Sequence, residues 1–133
     1  MNDKVYRFEF PHPPQALSPN AGKSSSRLSK SRPTQMYRHF VAHTIMEQLK
    51  GEKPMLADVR IDFLFYFPEK RRRDRDNLIA MFKSGIDGMV DAGLIIDDHL
   101  AVPMPPVIRV VKDCKRNVVV SVRACEPEFW VIP

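Results

Sequence analysis

Residues 57–67 read ADVRIDFLFYF, and their alternation decides the architecture. Ala57, Val59, Ile61, Phe63, Phe65 and Phe67 fall on one face, against Asp58, Arg60, Asp62, Leu64 and Tyr66 on the other. A strand with one wholly apolar face belongs in the centre of a sheet, and Pro68 marks its end. Downstream, residues 77–91 put Leu78, Phe82, Ile86 and Met89 on one side of a helix, with Asp76 as its N-cap and Gly93 as its stop. Upstream, Thr34 can cap a helix running to about Leu49, its apolar stripe made of Tyr37, Phe40, Val41, Thr44, Ile45 and Leu49, with Gly51 ending it. Val5 to Phe10 alternates as a first strand, and 107–112 and 117–123, separated by Asp113-Cys114-Lys115-Arg116, read as a β-hairpin. The order β, α, β, α, β, β predicts an α+β (mixed α/β) fold, a small sheet with two main helices packed on it.

At 133 residues, 44% of them hydrophobic, the chain is expected to be a single domain over 1–133 that buries roughly two-thirds of its unfolded surface. Residues 11–33 are rich in Pro, Ser and basic groups and poor in apolar ones, so they are expected to form a loop. Its Lys23 and Arg27 are candidate phosphate contacts. Lys and Arg total 21 against 16 Asp and Glu, a net charge of +5 and a pI near 9.4, which favours an anionic partner. No apolar run approaches the roughly 20 residues that span a bilayer, and no charged-then-apolar leader opens the sequence. The chain therefore reads as cytoplasmic, without a membrane partner and with Cys114 and Cys125 reduced.

Within that basic chain, Arg71-Arg72-Arg73-Asp74-Arg75-Asp76-Asn77 sets carboxylates among arginines. Arg71, Arg72, Arg73 and Arg75 suit a phosphate backbone; the acids would repel it unless a divalent cation lay between. Asp74 and Asp76 alternate in an extended approach to the helix, so both can point to one side and share a hard cation. Asp76, Lys83 and Asp87 return to nearly one direction on that helix, which is also what a solvated face with a Lys83/Asp87 pair would give. After Leu94-Ile95-Ile96 come Asp97 and Asp98, one of which can join Asp74 and Asp76 if the chain folds back beside the helix. Such a constellation is what a metal-dependent nuclease needs.

The run R-R-R-D-R-D-N-L, then K-x-x-x-D, then G-L-I-I-D-D resembles the RusA family of Holliday-junction resolvases, phage-associated endodeoxyribonucleases. The likeness is strongest from Arg71 to Asp98. It implies a homodimeric, Mg²⁺-dependent enzyme, with Mn²⁺ able to substitute, that makes paired nicks in four-way branched DNA during recombination and repair. Carried over by position, the family's acids fall on Asp74, Asp76 and Asp98 as metal ligands, and its lysine on Lys83. Three extra residues separate Asn77 from Lys83, which keeps the lysine's face but moves it about 4.5 Å along the axis.

Two alternatives stand beside that reading. One is a non-catalytic DNA-binding recombination accessory module, whose acids cap helices and pair with arginines; the other is a nuclease for other branched DNA. His39 and His43, one helical turn apart, read as an exposed pair rather than zinc ligands. His99 reads as a surface histidine, and Phe129 and Trp130 as core or dimer caps.

Overall fold

The computed structural model describes residues 4–18 and 27–125. The strand read from 57–67 is β2, Val59–Phe67, in which every odd-numbered residue is buried and every even-numbered one half-buried. Ala57 lies outside it and is exposed. As expected of the most apolar strand, β2 is central. The first strand, β1 (Val5–Pro11), pairs antiparallel with the last, β5 (Asn117–Ala124), and β5 pairs antiparallel with β2. On the other side of β2 lie two short parallel strands, β3 (Ala101–Pro103) and β4 (Val107–Val110). The register aligns Phe8, Val120 and Phe63, then Phe10, Val118 and Phe65, so their side chains form rows on one face.

The expected hairpin of 107–112 with 117–123 does not form. β4 and β5 flank β2 on opposite sides, and 111–116 cross its end, where Val111 N–H donates to the Phe67 carbonyl. Neighbours in sequence make the shorter loop, but β2 has two edges to satisfy, and inserting it between them pairs both. The two free thiols, Cys114 and Cys125, consequently belong to different parts of the chain and form no disulfide.

Parallel pairing of β2 with β3 requires a crossover, and helices supply it. α2 (Arg75–Met81) and α3 (Lys83–Asp91) are one expected helix divided at Phe82, whose φ of −87° and ψ of 2° leave the helical range. The expected core face holds: Leu78, Phe82, Ile86 and Met89 are all buried. Gly93, at φ 78°, is the left-handed stop read from the sequence.

α1 (Arg27–Gln48) begins seven residues before Thr34 and passes through Pro33. Residues 27–33 were expected as loop; Arg, Leu and Lys are good helix formers, and Pro33 forfeits only one hydrogen bond near the start of a long helix. The loop expected over 11–33 is further interrupted by a 3₁₀ turn, Gln15–Leu17. Tyr37, Val41 and Ile45 of the expected stripe are buried together with Ala42, whereas Phe40 turns outward, 48% exposed. His39 and His43 are exposed as expected, and His43 meets Glu47. Among the described residues no helix is long and apolar enough to cross a membrane.

Both helical segments lie on the apolar face of the sheet. Phe82 is their joint: its ring meets Phe63 at 5.2 Å, Tyr37 at 5.8 Å and Phe10 at 5.9 Å between centroids. α1 and α3 touch backbone to backbone at Gly88, where an added Cβ would come 2.5 Å from the Arg38 carbonyl oxygen. Neither partner is a flexible side-chain end. Gly88→Ala is therefore expected to destabilise by about 1–3 kcal/mol, since the helices must separate to admit a methyl group. A thermal melt would check this; an unchanged Tm would show that the helices separate freely.

Candidate active site

Past Pro68 the chain makes a basic loop before α2. Arg73 is folded inward: its guanidinium lies 3.6 Å from the Phe67 ring centroid, donates to the carbonyls of Glu69 and Arg71 and pairs with the Glu69 carboxylate at 2.9 Å. Only 8% of its side chain is exposed. Glu69 also takes a bond from Arg116. Arg73 thus shapes the loop, while Arg71 and Arg72 stay exposed. Arg75 Nε donates to the Pro106 carbonyl at 3.1 Å, tying the start of α2 to the entry of β4.

The N-cap of α2 is Asp74, not Asp76. Asp74 is extended, and its Oδ1 accepts from the backbone N–H of Asp76 at 2.9 Å and of Asn77 at 3.4 Å. The expectation erred by two residues because an acid is favourable both at the cap and in the first turn, where Asp76 sits near the positive end of the helix. Both carboxylates line one shallow concavity with Arg72 and Arg75. Asn77 is fastened from the other side: its Oδ1 accepts from Ser18 Oγ at 3.1 Å.

The stripe of Asp76, Lys83 and Asp87 is divided by the break at Phe82. Lys83 and Asp87 line a second concavity with Thr34 and Ser84, whose buried Oγ has no partner among the described residues. Burial raises the Asp87 carboxyl above its ordinary range; Arg38 and Lys83 oppose this, and Asp98 and Asp91 add to it. Asp98 itself lies on a turn that packs against α3.

Asp98 arrives there because the chain after Gly93 runs parallel to 55–56, with Ile96 N–H donating to the Leu56 carbonyl. Asp97 caps a 3₁₀ turn, Asp98–Leu100, and meets His99 Nδ1 at 3.0 Å. Those hydrogen bonds, from His99 first and then Asp98, hold the Asp97 carboxyl down at about 2. Asp97, Asp98 and His99 bring one ligand atom each within 4.8 Å of one another, the only such group among the described residues. The expected triad of Asp74, Asp76 and Asp98 is thus not gathered to that spacing. Asp74 and Asp76 share one concavity, and Asp98 lies by α3. Lys23, Phe129 and Trp130 fall outside the described residues, and Arg27 opens α1.

Sequence reading overlooked His12. It leaves β1 and its ring meets Phe67 edge-on at 4.6 Å and Phe65 at 5.5 Å. Its Nε2 lies 3.0 Å from the Asn117 carbonyl oxygen and must donate to it, which fixes the tautomer. The available signal was a histidine at a strand exit in a chain with alternating phenylalanines. Burial lowers its pKa below 6.5, the hydrogen bonds to the Asn117 and Tyr66 backbone oppose this, and Arg116 and Arg73 push it down further. A lowered folded-state pKa means that the unfolded chain binds more protons just below pH 6.5. Stability is therefore expected to fall as pH drops through that window, and His12→Gln, which keeps an N–H donor, should flatten the decline. Chemical denaturation at pH 7.5 and 5.5 measures both; equal slopes for the two proteins would contradict it.

With this geometry in view, the comparisons with known proteins become informative. A family model described as endodeoxyribonuclease RusA matches residues 11–123. A crossover junction endodeoxyribonuclease of Enterobacteria phage HK97 is 33% identical over 94 residues, covering 71% of this chain and 74% of the phage protein. The family model's residues 11–123 run from the end of β1 through the helices and the arginine-flanked acids into β5, and the chain belongs to the RusA family of endodeoxyribonucleases.

Proposed function

We propose that this chain is a Mg²⁺-dependent nuclease that resolves four-way DNA junctions by paired nicks, acting as a homodimer in the cytoplasm, with Mn²⁺ able to replace Mg²⁺. The observation that carries the reading is the concavity at the start of α2, where Asp74 and Asp76 lie open among Arg72 and Arg75. The name of the phage relative supports junction DNA as the substrate.

The donor chemistry fits the metal. Carboxylate oxygens are hard ligands, and Mg²⁺ keeps several waters, so one or two exposed carboxylates with substrate oxygens suffice. Asp74 and Asp76, which share the concavity, would hold it, and Asp98, the third acid of the family resemblance, lies apart from them by α3. When bound, a divalent cation polarises a phosphodiester and lowers the pKa of a coordinated water. The protein's own groups do the rest. Arg71, Arg72 and Arg75 hold the backbone on either side of the acids without reading bases. Arg73, locked on Phe67, keeps that loop in shape. Lys83 offers a fixed positive charge on the same helical layer for negative charge that builds on the phosphate. Two copies about a two-fold axis present two such sites, which suits symmetric cutting of two strands.

The separation of Asp98 from Asp74 and Asp76, and the capping role of Asp74, favour a second reading: a non-catalytic junction-binding module. Titrating Mg²⁺ into the protein with four-way, fork and flap DNA, against an EDTA control, tests the pair. Cutting that rises with Mg²⁺ and is fastest on the four-way junction is the expected result. Cutting fastest on forks or flaps would move the substrate, and binding without cutting would select the module.

The arginines make a separate expectation. Arg72→Ala should weaken binding to every DNA sequence alike and reduce the slope of log affinity against log salt by about one. An unchanged salt slope would remove Arg72 from the phosphate contacts.

A further inference from the structure

Beside the acidic concavity is a cleft of about 540 Å³, and its lining is of another kind. Its depths are apolar: Phe65, Phe67, Leu78 and Met81 come from the end of β2 and from α2. The His12 imidazole forms one wall, and Gln15, from the 3₁₀ turn, stands exposed at another. Arg71 and Arg72 are exposed at its edge, and Asp74 belongs to both concavities. A cleft with a buried apolar floor, an imidazole wall and exposed guanidinium groups at its edge, beside a phosphate-cutting site, suits a ligand with a flat body and an anionic tether.

We infer that this cleft receives one unstacked base of the branched DNA, from a nucleotide next to the phosphodiester held at Asp74. The inference rests on the nuclease reading and adds a base-recognition subsite to it. Four observations support this occupant. The volume is within the range of roughly 300–1,000 Å³ typical of small-ligand pockets, enough for a nucleoside but not for a duplex. The His12 imidazole and the exposed guanidinium groups of Arg71 and Arg72 are surfaces of the kind on which extruded bases stack. Strands at a branch point are already partly unstacked, so extrusion there costs least. Finally, the walls are preformed: His12 N–H donates to the Arg116 carbonyl, His12 Nε2 to the Asn117 carbonyl, and Ser18 Oγ to Asn77, so the pocket keeps its shape without DNA.

Polar edges inside the cleft give it a means of choosing among bases. Gln15 carries an exposed amide, which can both donate and accept. The arginines, which contact backbone, supply no such choice.

A double cycle between DNA and protein tests the assignment. Cleavage rates in Mg²⁺ are measured for wild type and His12→Ala on a four-way junction with all bases intact and on junctions carrying a single abasic position on each side of the cut. An abasic position at the recognised nucleotide is expected to slow wild type by about tenfold or more, the scale of losing one stacked base. His12→Ala should slow cutting of intact DNA and have little further effect on that abasic junction, because both changes remove one contact. Gln15→Ala, at an exposed position, repeats the cycle if His12→Ala melts early. Wild-type rates on every abasic junction, or losses that multiply independently, would overturn the base pocket while leaving the nuclease intact. No metal-dependent cutting of intact junctions by wild type would overturn both.

Discussion

Asp74→Asn is expected to lower DNA cleavage by more than about 100-fold, beyond what loss of an outer partner of a bound metal costs, while leaving junction binding unchanged or tighter. The substitution separates chemistry from folding because of what Asp74 does in the structure. Its Oδ1 caps α2 by accepting from Asp76 and Asn77 N–H, and asparagine caps a helix about as well as aspartate. The fold should therefore survive, and with no metal bound, removing a negative charge beside a phosphate favours binding. Asp74→Ala is the informative control, since it loses the cap as well, at about 1 kcal/mol of stability. Cutting by Asp74→Asn at close to the wild-type rate would reduce Asp74 to a cap.

The second large effect is structural. Phe82→Ala is expected to destabilise by about 3–5 kcal/mol, lowering Tm by roughly 10 °C or more. Phe82 is fully buried, at the junction of α2 and α3, and its ring touches one aromatic ring from each of β1, β2 and α1. Its removal leaves a cavity where helices and sheet meet, under the helix that carries the acids at one end and Lys83 just beyond. Activity should fall together with stability and recover on cooling, unlike in Asp74→Asn. A melt within a few degrees of wild type would mean that α1 and α3 collapse into the space.

Much of this molecule could be read from periodicity. The odd-numbered residues of β2 and the Leu78, Phe82, Ile86 and Met89 face are local patterns, and burial by a single neighbouring layer preserves them. What could not be read depended on non-local choices. Whether β4 pairs with β5 or both flank β2 is decided by edges that only exist once the sheet is assembled. The division at Phe82 arises where one ring is drawn into contact with three elements, and no breaker residue announces it. Within the site, the arginine and acid run was legible as a unit, but the separate duties of its members were not. Arg73 turns inward to Phe67, and Asp74 rather than Asp76 caps, because each answers to the geometry of the loop. His12 acquires meaning only from the phenylalanines of β2, which lie more than fifty residues away in sequence.

The most direct test of the resolvase account is to label each strand of a mobile four-way junction in turn, incubate it with the protein in Mg²⁺, and map the nicks against those in a linear duplex of the same sequence. Paired nicks at symmetric positions on two opposing strands, sealed by ligase, absent from the duplex and lost in EDTA, are the expected result. A junction bound tightly but left intact in both Mg²⁺ and Mn²⁺ would contradict it.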